Sequence, residues 1–348
     1  MATLLQLMQK SGLNRNQVSK ISGISNTYLT KIENFESNGD RIAIRRKTLI
    51  NIAVSLNLSI VQINSLLSDY NHSEISASDT PYFLAASEKQ NVTGQLPLFN
   101  SLALEWFLIG LEKKLSITKG ASMIYVLDQP SHIFKSAEHA SYFNSHETDL
   151  TPNVASAYKD LVASACLHRR KLVTEALQKG NEIRTYICSC CLERYMQRWK
   201  TYNSQEVKNR SREFLKQQIN KLIEYIESYP NLYRLILLKK CPRIKYEMLY
   251  LPVPDKNGRL TNKINKVFFH SQESECNKDS RILGTVDNLS AGQGFGDLIG
   301  FATDSQNTIE LFHKQHIGLN DNYTDTNFDS SQKIVKHLKS LLQKHILK

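Results

Sequence analysis

Three cysteines lie within four residues of one another, at positions 188, 190 and 191. Arginines on both sides of them favour the thiolate form, which binds metal ions and reacts with oxidants. Two hypotheses are open, packed inert thiols and a redox or metal site. A strand would point Cys188 and Cys190 to one face and Cys191 to the other, and no second cysteine pair follows at zinc-ribbon spacing. We therefore expect packed thiols, no metal site and no cofactor.

Basic side chains are concentrated in residues 167–245, which contain 18 Lys and Arg and seven Asp and Glu, a net charge of +11. A solvated face of a long helix would explain this excess, and so would a nucleotide, a phosphorylated ligand or an additional DNA contact. Ligands of α/β folds bind near strand ends. Four arginines near predicted strand ends are the candidate ligands for an anion: Arg184, Arg194, Arg198 and Arg243.

Three further motifs have catalytic relatives, and none is intact. The glycine-rich segment 290–300 departs from the G-x-G-x-x-G pattern and is expected to be a flexible turn. Ala291-Gly292 could suggest self-cleavage, but only 56 residues follow. His337-Leu338-Lys339 begins an H-x-K-x-x-x-x-D motif in which position 344 is Lys. We expect no catalytic residues and no enzyme, while a DNA-targeted nuclease or nucleotide-processing enzyme stays open as an alternative.

The segment 14–34 predicts two short helices joined by a tight turn. Asn14 can cap the first helix and Ser25 the second, since both side chains accept hydrogen bonds from backbone amides. Gly23 lies where the chain must reverse with positive φ. In the second helix Leu29 and Ile32 define the buried face. The side chains left facing outward are hydrogen-bonding groups of a size that fits the DNA major groove: Asn26, Thr27, Thr30 and Lys31.

Here the chain resembles the Cro/C1-type helix-turn-helix regulators, also called XRE-like, over about 65 of its 348 residues. The matching positions are Gly12-Leu13, Val18, Gly23-Ile24-Ser25, Leu29, Ile32-Glu33-Asn34, Thr48-Leu49, Ile52-Ala53, Leu56 and Leu58-Ser59. Phe35 stands where the family usually has Gly, and the loop that follows is longer than the family's. The resemblance implies five short helices around one small core.

The resemblance also implies roles for individual side chains. In that family the second helix of the motif lies in the major groove, so Asn26, Thr27, Thr30 and Lys31 become candidate base contacts. Arg15 takes the place of a phosphate-contacting residue. Residues 1–70 carry a net charge of +4, and Arg45, Arg46 and Lys47 are further candidate phosphate contacts. A purely protein-binding basic face is the competing explanation.

The pattern after residue 95 changes to helices alternating with short strands, which predicts an α/β domain. We expect strands at 121–127, 182–188, 232–238, 246–251, 266–270, 281–287 and 298–302, and helices at 98–115, 155–179, 205–228, 305–316 and 331–347. The expected organisation is a helix-turn-helix domain at 1–70, a polar linker at 71–95 and a larger α/β sensor or effector domain at 96–348.

The whole composition agrees with a folded chain of ordinary polarity. The formal net charge is +11 and hydrophobic residues make up 41%, so acidic polymers are attracted. No apolar run reaches membrane-spanning length and no signal peptide is visible, so we expect a cytoplasmic protein without membrane contact. By analogy with the family, we expect a homodimeric repressor of transcription that senses a small anionic ligand or a protein partner. A toxin-antitoxin or anti-phage interaction protein is the remaining alternative.

Overall fold

The structure is a computed structural model, and it describes residues 3–39, 42–90, 95–98, 101–142, 151–242, 245–254, 260–270 and 300–347. The chain divides into two compact units. Unit 1 comprises residues 1–113, 140–169 and 285–302, and unit 2 comprises residues 114–139, 170–284 and 303–348. Within the described ranges, no helix has both the length and the apolar character required to cross a lipid bilayer.

Unit 1 begins with five short helices, the number predicted from the sequence. They are α1 Leu4–Ser11, α2 Arg15–Ser22, α3 Asn26–Ser37, α4 Arg46–Ser55 and α5 Ile60–Asp69. Four of them start at a residue whose side chain accepts a hydrogen bond from a backbone amide, namely Thr3, Asn14, Ser25 and Ser59. Apolar residues of these helices and of the segments between them are buried, whereas Ile24 between α2 and α3 is half-buried. The buried residues are Val18, Ile21, Leu29, Ile32, Leu49, Ile52, Ala53, Leu56, Leu58, Leu66 and Leu67.

The segment 71–95, expected to be a polar linker, contains regular structure. After a single 3-10 turn, helix α6 spans Thr80–Ser87. Phe83 is fully buried and its ring stacks on that of Trp106, with centroids 5.6 Å apart. Gln90 donates to the carbonyl of Val54. Apolar burial and a long-range hydrogen bond therefore fix this stretch within unit 1, and the three-part domain division stays a prediction.

Unit 1 also includes two short strands and most of two long helices. Strands β1, Gln95–Leu98, and β7, Gly300–Thr303, are neighbours in the sheet. Helix α7 spans Ser101–Ile117, and α9 spans Pro152–Gln178, of which the part up to Arg169 belongs to this unit. Arg169 is almost completely buried and lies between Glu105 and Glu112 of α7. Sequence periodicity gave no sign of this ion-pair cluster.

Unit 2 contains a mixed sheet with the strand order β6-β5-β2-β3-β4. The strands are β2 Ser122–Leu127, β3 Glu182–Cys188, β4 Tyr233–Leu238, β5 Lys245–Pro254 and β6 Leu260–His270. β2, β3 and β4 run parallel, with Cys188 of β3 opposite Leu238 of β4. β5 is antiparallel to both β2 and β6. The predicted strand at 281–287 lies outside the described residues.

Helices cover both faces of this sheet. The strands contain consecutive buried side chains, and successive side chains of a strand point to opposite faces, so both faces must be covered. On one face, Tyr246 and Met248 of β5 pack with Ile309 and Phe312 of α12, which spans Gln306–Tyr323. On the other face, Tyr225 of α11 makes an edge contact with Tyr233. Helix α11 spans Gln205–Ser228 as predicted. The chain is thus helix-rich with a mixed α/β part.

The structure adds helices at places where the sequence gave no clear pattern. Helix α8 spans Ala137–Tyr142 and α10 spans Ser189–Gln197, directly after β3. Of these two, α10 matters most for function, because it contains two of the three clustered cysteines. The last helix agrees with the prediction for 331–347: α13 spans Ser331–Leu342 and continues into a π-helical turn at Gln343–Leu347.

Candidate nucleic-acid interface and thiol cluster

The turn between α2 and α3 has the local chemistry that the sequence predicts. Gly23 has φ of 68°, a conformation that costs residues with a Cβ more than it costs glycine. The side chain of Ser25 accepts a hydrogen bond from the amide of Tyr28 and so caps α3. At the start of α2, Asn14 and Gln17 bond reciprocally to each other's backbone amides. Each helix thus begins at its own cap, with the sharp reversal between them at Gly23.

Helix α3 has one buried and one exposed face. Leu29 and Ile32 are completely buried, while Asn26, Thr27 and Lys31 are exposed and Thr30 is half-buried. The Thr30 hydroxyl donates to the carbonyl of Asn26 at 2.9 Å. The Asn26 amide donates to Asn16 Oδ1 on α2 at 2.7 Å. Thr27 and Lys31, one turn apart, are therefore the polar groups of this face best placed to meet a ligand.

Arg15, the first residue of α2, forms an ion pair with Glu33 of α3. Glu33 is buried, whereas 43% of the Arg15 side chain is exposed. A guanidinium group has five N–H donors, so Arg15 can hold Glu33 and still present donors to a phosphate. The ion pair also joins the two helices of the motif at their outer edge.

The expectation that Arg46 contacts phosphate is corrected by its environment. Both Nε and a terminal nitrogen of Arg46 donate to the buried carboxylate of Asp79 at 2.6 Å. The other terminal donors reach the carbonyls of Ser73 and Glu74. The guanidinium is thus fully occupied by the segment that follows α5. Arg45, which precedes α4, and Lys47 are exposed and stay in the phosphate-contact set.

We expect Arg46→Gln to lower the free energy of unfolding by about 1 to 3 kcal/mol, because a buried carboxylate loses its charged partner. Burial acts to raise the pKa of Asp79, but hydrogen bonds from Arg46 and Ser76 hold it below its usual value. A carboxylate with a depressed pKa in the folded state stabilises the fold above its unfolded-state pKa. The deficit of the variant should therefore shrink as the pH falls below the ordinary aspartate range.

Urea unfolding of the full chain at several pH values measures this deficit. Lys47→Gln is the matched control, since it removes one exposed positive charge from the same helix and should change stability by less than about 0.5 kcal/mol. Equal stability of the Arg46 and Lys47 variants would contradict the structural role of Arg46.

The four arginines proposed for anion binding occupy different environments. Arg184 lies in the first half of β3 and pairs with Glu182 at 2.7 Å. Arg194 is exposed in the last turn of α10, and Arg198 begins the 3-10 turn that follows. Arg243 lies outside the described residues. Arg184 is thus paired with a carboxylate, and the anion site formed by these four arginines stays a prediction.

The carboxyl ends of β2, β3 and β4 meet at one edge of the sheet, because these strands are parallel. At that edge Asp128 follows β2 and forms a buried ion pair with Lys245, the first residue of β5, at 2.6 Å. Cys188 ends β3, and Cys241 follows β4. Ligands of open α/β sheets bind outside the carboxyl ends of the strands. Polar and thiol groups therefore collect where such sheets place their sites.

Three thiols converge at this edge. The Sγ atoms of Cys188, Cys191 and Cys241 all lie within 4.8 Å of one another, and those of Cys191 and Cys241 are 3.3 Å apart. Cys188 and Cys191 are buried, Cys241 is partly exposed, and Cys190 is exposed. Hydrogen bonds from Cys191 and Cys241 lower the pKa of the Cys188 thiol to about 2, against the opposing effect of burial.

Comparison with protein-family models, with curated proteins and with solved structures finds no match to this chain. The resemblance of residues 1–70 to Cro/C1-type regulators therefore stays a prediction from the motif. What the chain does has to be inferred from its own residues and their geometry.

From the sequence, a strand running on through the cysteines would separate Cys191 from Cys188. In the structure β3 ends at Cys188, as predicted, and α10 begins at Ser189, so that argument against a shared site does not apply. A helical turn brings residues three apart to the same side. The overlooked signal was the two-residue spacing between Cys188 and Cys191. No local pattern could add Cys241, which is 50 residues farther along the chain.

Proposed function

We propose that this protein is a sequence-specific DNA-binding regulator of transcription in which α2 and α3 form a helix-turn-helix motif. The observation that carries the proposal is the pair of separately capped helices reversing at Gly23, with Leu29 and Ile32 buried and Thr27 and Lys31 exposed on α3. A short, firmly held helix with a polar outer face fits the major groove.

In this proposal side chains of α3 contact base edges, and basic side chains outside α3 contact the phosphates of the duplex. Asn26, Thr27, Thr30 and Lys31 carry the base contacts, since amide, hydroxyl and ammonium groups complement the donor and acceptor pattern of the major groove. Phosphates are held by a separate set of exposed basic groups, because such contacts set orientation without reading sequence. That set is Arg15, Arg45 and Lys47.

We further propose that the protein acts as a homodimer and that unit 2 senses a ligand or partner. Two copies related by a two-fold axis would occupy half-sites about one helical turn apart, so the operator should be an inverted repeat. Repression follows by analogy with the Cro/C1 family, since a protein that occupies an operator within a promoter excludes polymerase from it. The mixed sheet with helices on both faces supplies the ligand-binding edge.

Selection from a pool of random DNA duplexes tests this function. We expect full-length protein to enrich one inverted repeat. Its affinity for that repeat should exceed its affinity for a scrambled duplex by a factor of at least about 10³ at physiological salt. Enrichment measured by sequencing and affinities measured by fluorescence anisotropy give this ratio directly.

Two controls separate base reading from charge attraction. Arg45→Gln should weaken binding to the selected and scrambled duplexes alike and reduce the salt dependence by roughly one counterion for each bound protomer. Loss of the selected preference on Arg45→Gln would place base reading outside α3. Binding without enrichment would contradict a sequence-specific regulator, and cleavage of the bound duplex would favour the nuclease alternative.

A further inference from the structure

Cys188, Cys191 and Cys241 come from two segments of unit 2 and meet at the carboxyl edge of its sheet. We propose that these three thiols bind one thiophilic divalent metal ion, Zn²⁺ or an ion of similar ligand preference, through their sulfur atoms. The site is independent of the DNA-binding proposal, which concerns α2 and α3. Failure of either proposal would leave the other standing.

The spacing of the three sulfurs suits a tetrahedral ion. A Zn–S bond is about 2.3 Å, so two sulfurs of a tetrahedron lie about 3.8 Å apart. All three Sγ atoms are within 4.8 Å of one another, and the closest pair is at 3.3 Å. Side-chain rotations that change the Sγ separations by no more than about 1 Å would equalise these distances at the tetrahedral value. The backbone therefore already places the ligands for one ion.

The local fold explains how the sulfurs come together. Cys188 is the residue before α10 and has extended backbone angles, while Cys191 lies in the first turn. This C-x-x-C turn at a helix start directs both side chains to the same point. Cys241 approaches from the loop after β4, the strand that pairs with β3 along its length. The pairing of two parallel strands thus completes a ligand set that neither segment contains alone.

Cysteine binds metal ions as the thiolate. A metal ion that binds these three sulfurs must therefore displace the protons that their thiols carry. We expect protons to be released as the ion binds near neutral pH.

Burial distinguishes this site from a closed structural zinc site. Cys188 and Cys191 are 2% and 0% exposed, while Cys241 is partly exposed. Among the described residues, the group close enough to share one ion consists of these three cysteines. Three protein ligands leave a fourth position, which water or a small anion can occupy.

The competing chemistry is a disulfide between Cys191 and Cys241. Two sulfurs suffice for a disulfide, and the third would then have no role in the cluster. The convergence of three sulfurs favours the metal. A disulfide is therefore one of the outcomes that the following experiment can detect.

Cobalt binding to the reduced full-length protein is the test. Co²⁺ replaces Zn²⁺ in tetrahedral thiolate sites and gives sulfur-to-metal charge-transfer absorption together with strong visible bands. We expect one Co²⁺ per chain with these bands, release of protons as the thiols ionise, and displacement of Co²⁺ by one equivalent of Zn²⁺. Cys241→Ser, in a partly exposed loop, should weaken Zn²⁺ binding more than about 100-fold, beyond the cost of losing an outer-shell partner.

Cys190→Ser is the matched control, because Cys190 lies between the ligands and is exposed; it should bind Co²⁺ as the unaltered protein does. A measurement on the unaltered protein does not depend on folding of any variant. Bound Zn²⁺ should slow alkylation of Cys188, Cys191 and Cys241 while Cys190 reacts at an unchanged rate.

Absence of cobalt bands in reduced protein, unchanged Zn²⁺ affinity of Cys241→Ser, or protection equal at all four thiols would overturn the proposal. Formation of a Cys191 to Cys241 disulfide with no metal uptake would establish the redox alternative.

Discussion

Replacing Thr27 and Lys31 together by alanine is expected to weaken binding to the selected operator by about 2 to 6 kcal/mol for each half-site, at roughly 1 to 3 kcal/mol for each lost base contact. Both side chains are exposed on α3, and the buried residues that hold the helix, Leu29 and Ile32, are unchanged. The specific complex should therefore lose affinity while the fold persists. Binding to a scrambled duplex should change little, because phosphate contacts dominate it.

Fluorescence anisotropy with both duplexes at one salt concentration measures the two affinities, and circular dichroism confirms the fold. Lys20→Ala is the matched control for the lost charge, since Lys20 is exposed in the last turn of the neighbouring helix α2. It should lower both affinities slightly and equally. An equal loss on operator and scrambled DNA in the double variant would show that α3 contacts the backbone only.

Local sequence patterns were sufficient to predict those helices and strands whose own residues contain the cap, the glycine or the apolar periodicity that defines them. Caps and a left-handed glycine located α2 and α3, because Asn14, Gly23 and Ser25 act within a few residues of themselves. Alternating apolar residues gave β3 at its observed bounds, and helical periodicity did the same for α11. These features depend on backbone conformation and one buried face, both of which a short window contains.

Contacts between distant segments explain what local patterns missed. Arg46 looked like a surface cation, yet its partner Asp79 lies 33 residues away. Helix α10 is short and begins inside a cysteine-rich segment, so its periodicity was too brief to separate from the preceding strand. The thiol cluster and the burial of Phe83 likewise depend on pairing between elements. Side-chain charge alone therefore overstated the basic surface that is available to DNA or anions.

The same lesson applies to Arg169, which the sequence places in the most basic part of the chain. In the structure it is 2% exposed and serves two carboxylates. Its Nε and one terminal nitrogen bond to Glu112, at 3.0 and 2.7 Å, and the other terminal nitrogen bonds to Glu105 at 2.8 Å. Glu112 is fully buried. This arginine ties α9 to α7 inside unit 1 and is not part of a binding surface.

Arg169→Met is expected to lower the free energy of unfolding by about 3 to 5 kcal/mol, because it removes the cation from two buried carboxylates while roughly preserving volume. Lys171→Met, on the same helix with a side chain that is 70% exposed, should change stability by less than about 0.5 kcal/mol. If uncompensated charge causes the loss, adding Glu112→Gln to Arg169→Met must restore part of it. If lost packing caused the destabilisation, Glu112→Gln would lower the free energy of unfolding further. Urea unfolding of the three variants decides between these causes, and a deficit in Arg169→Met no larger than that in Lys171→Met would show that the buried cluster contributes nothing to stability.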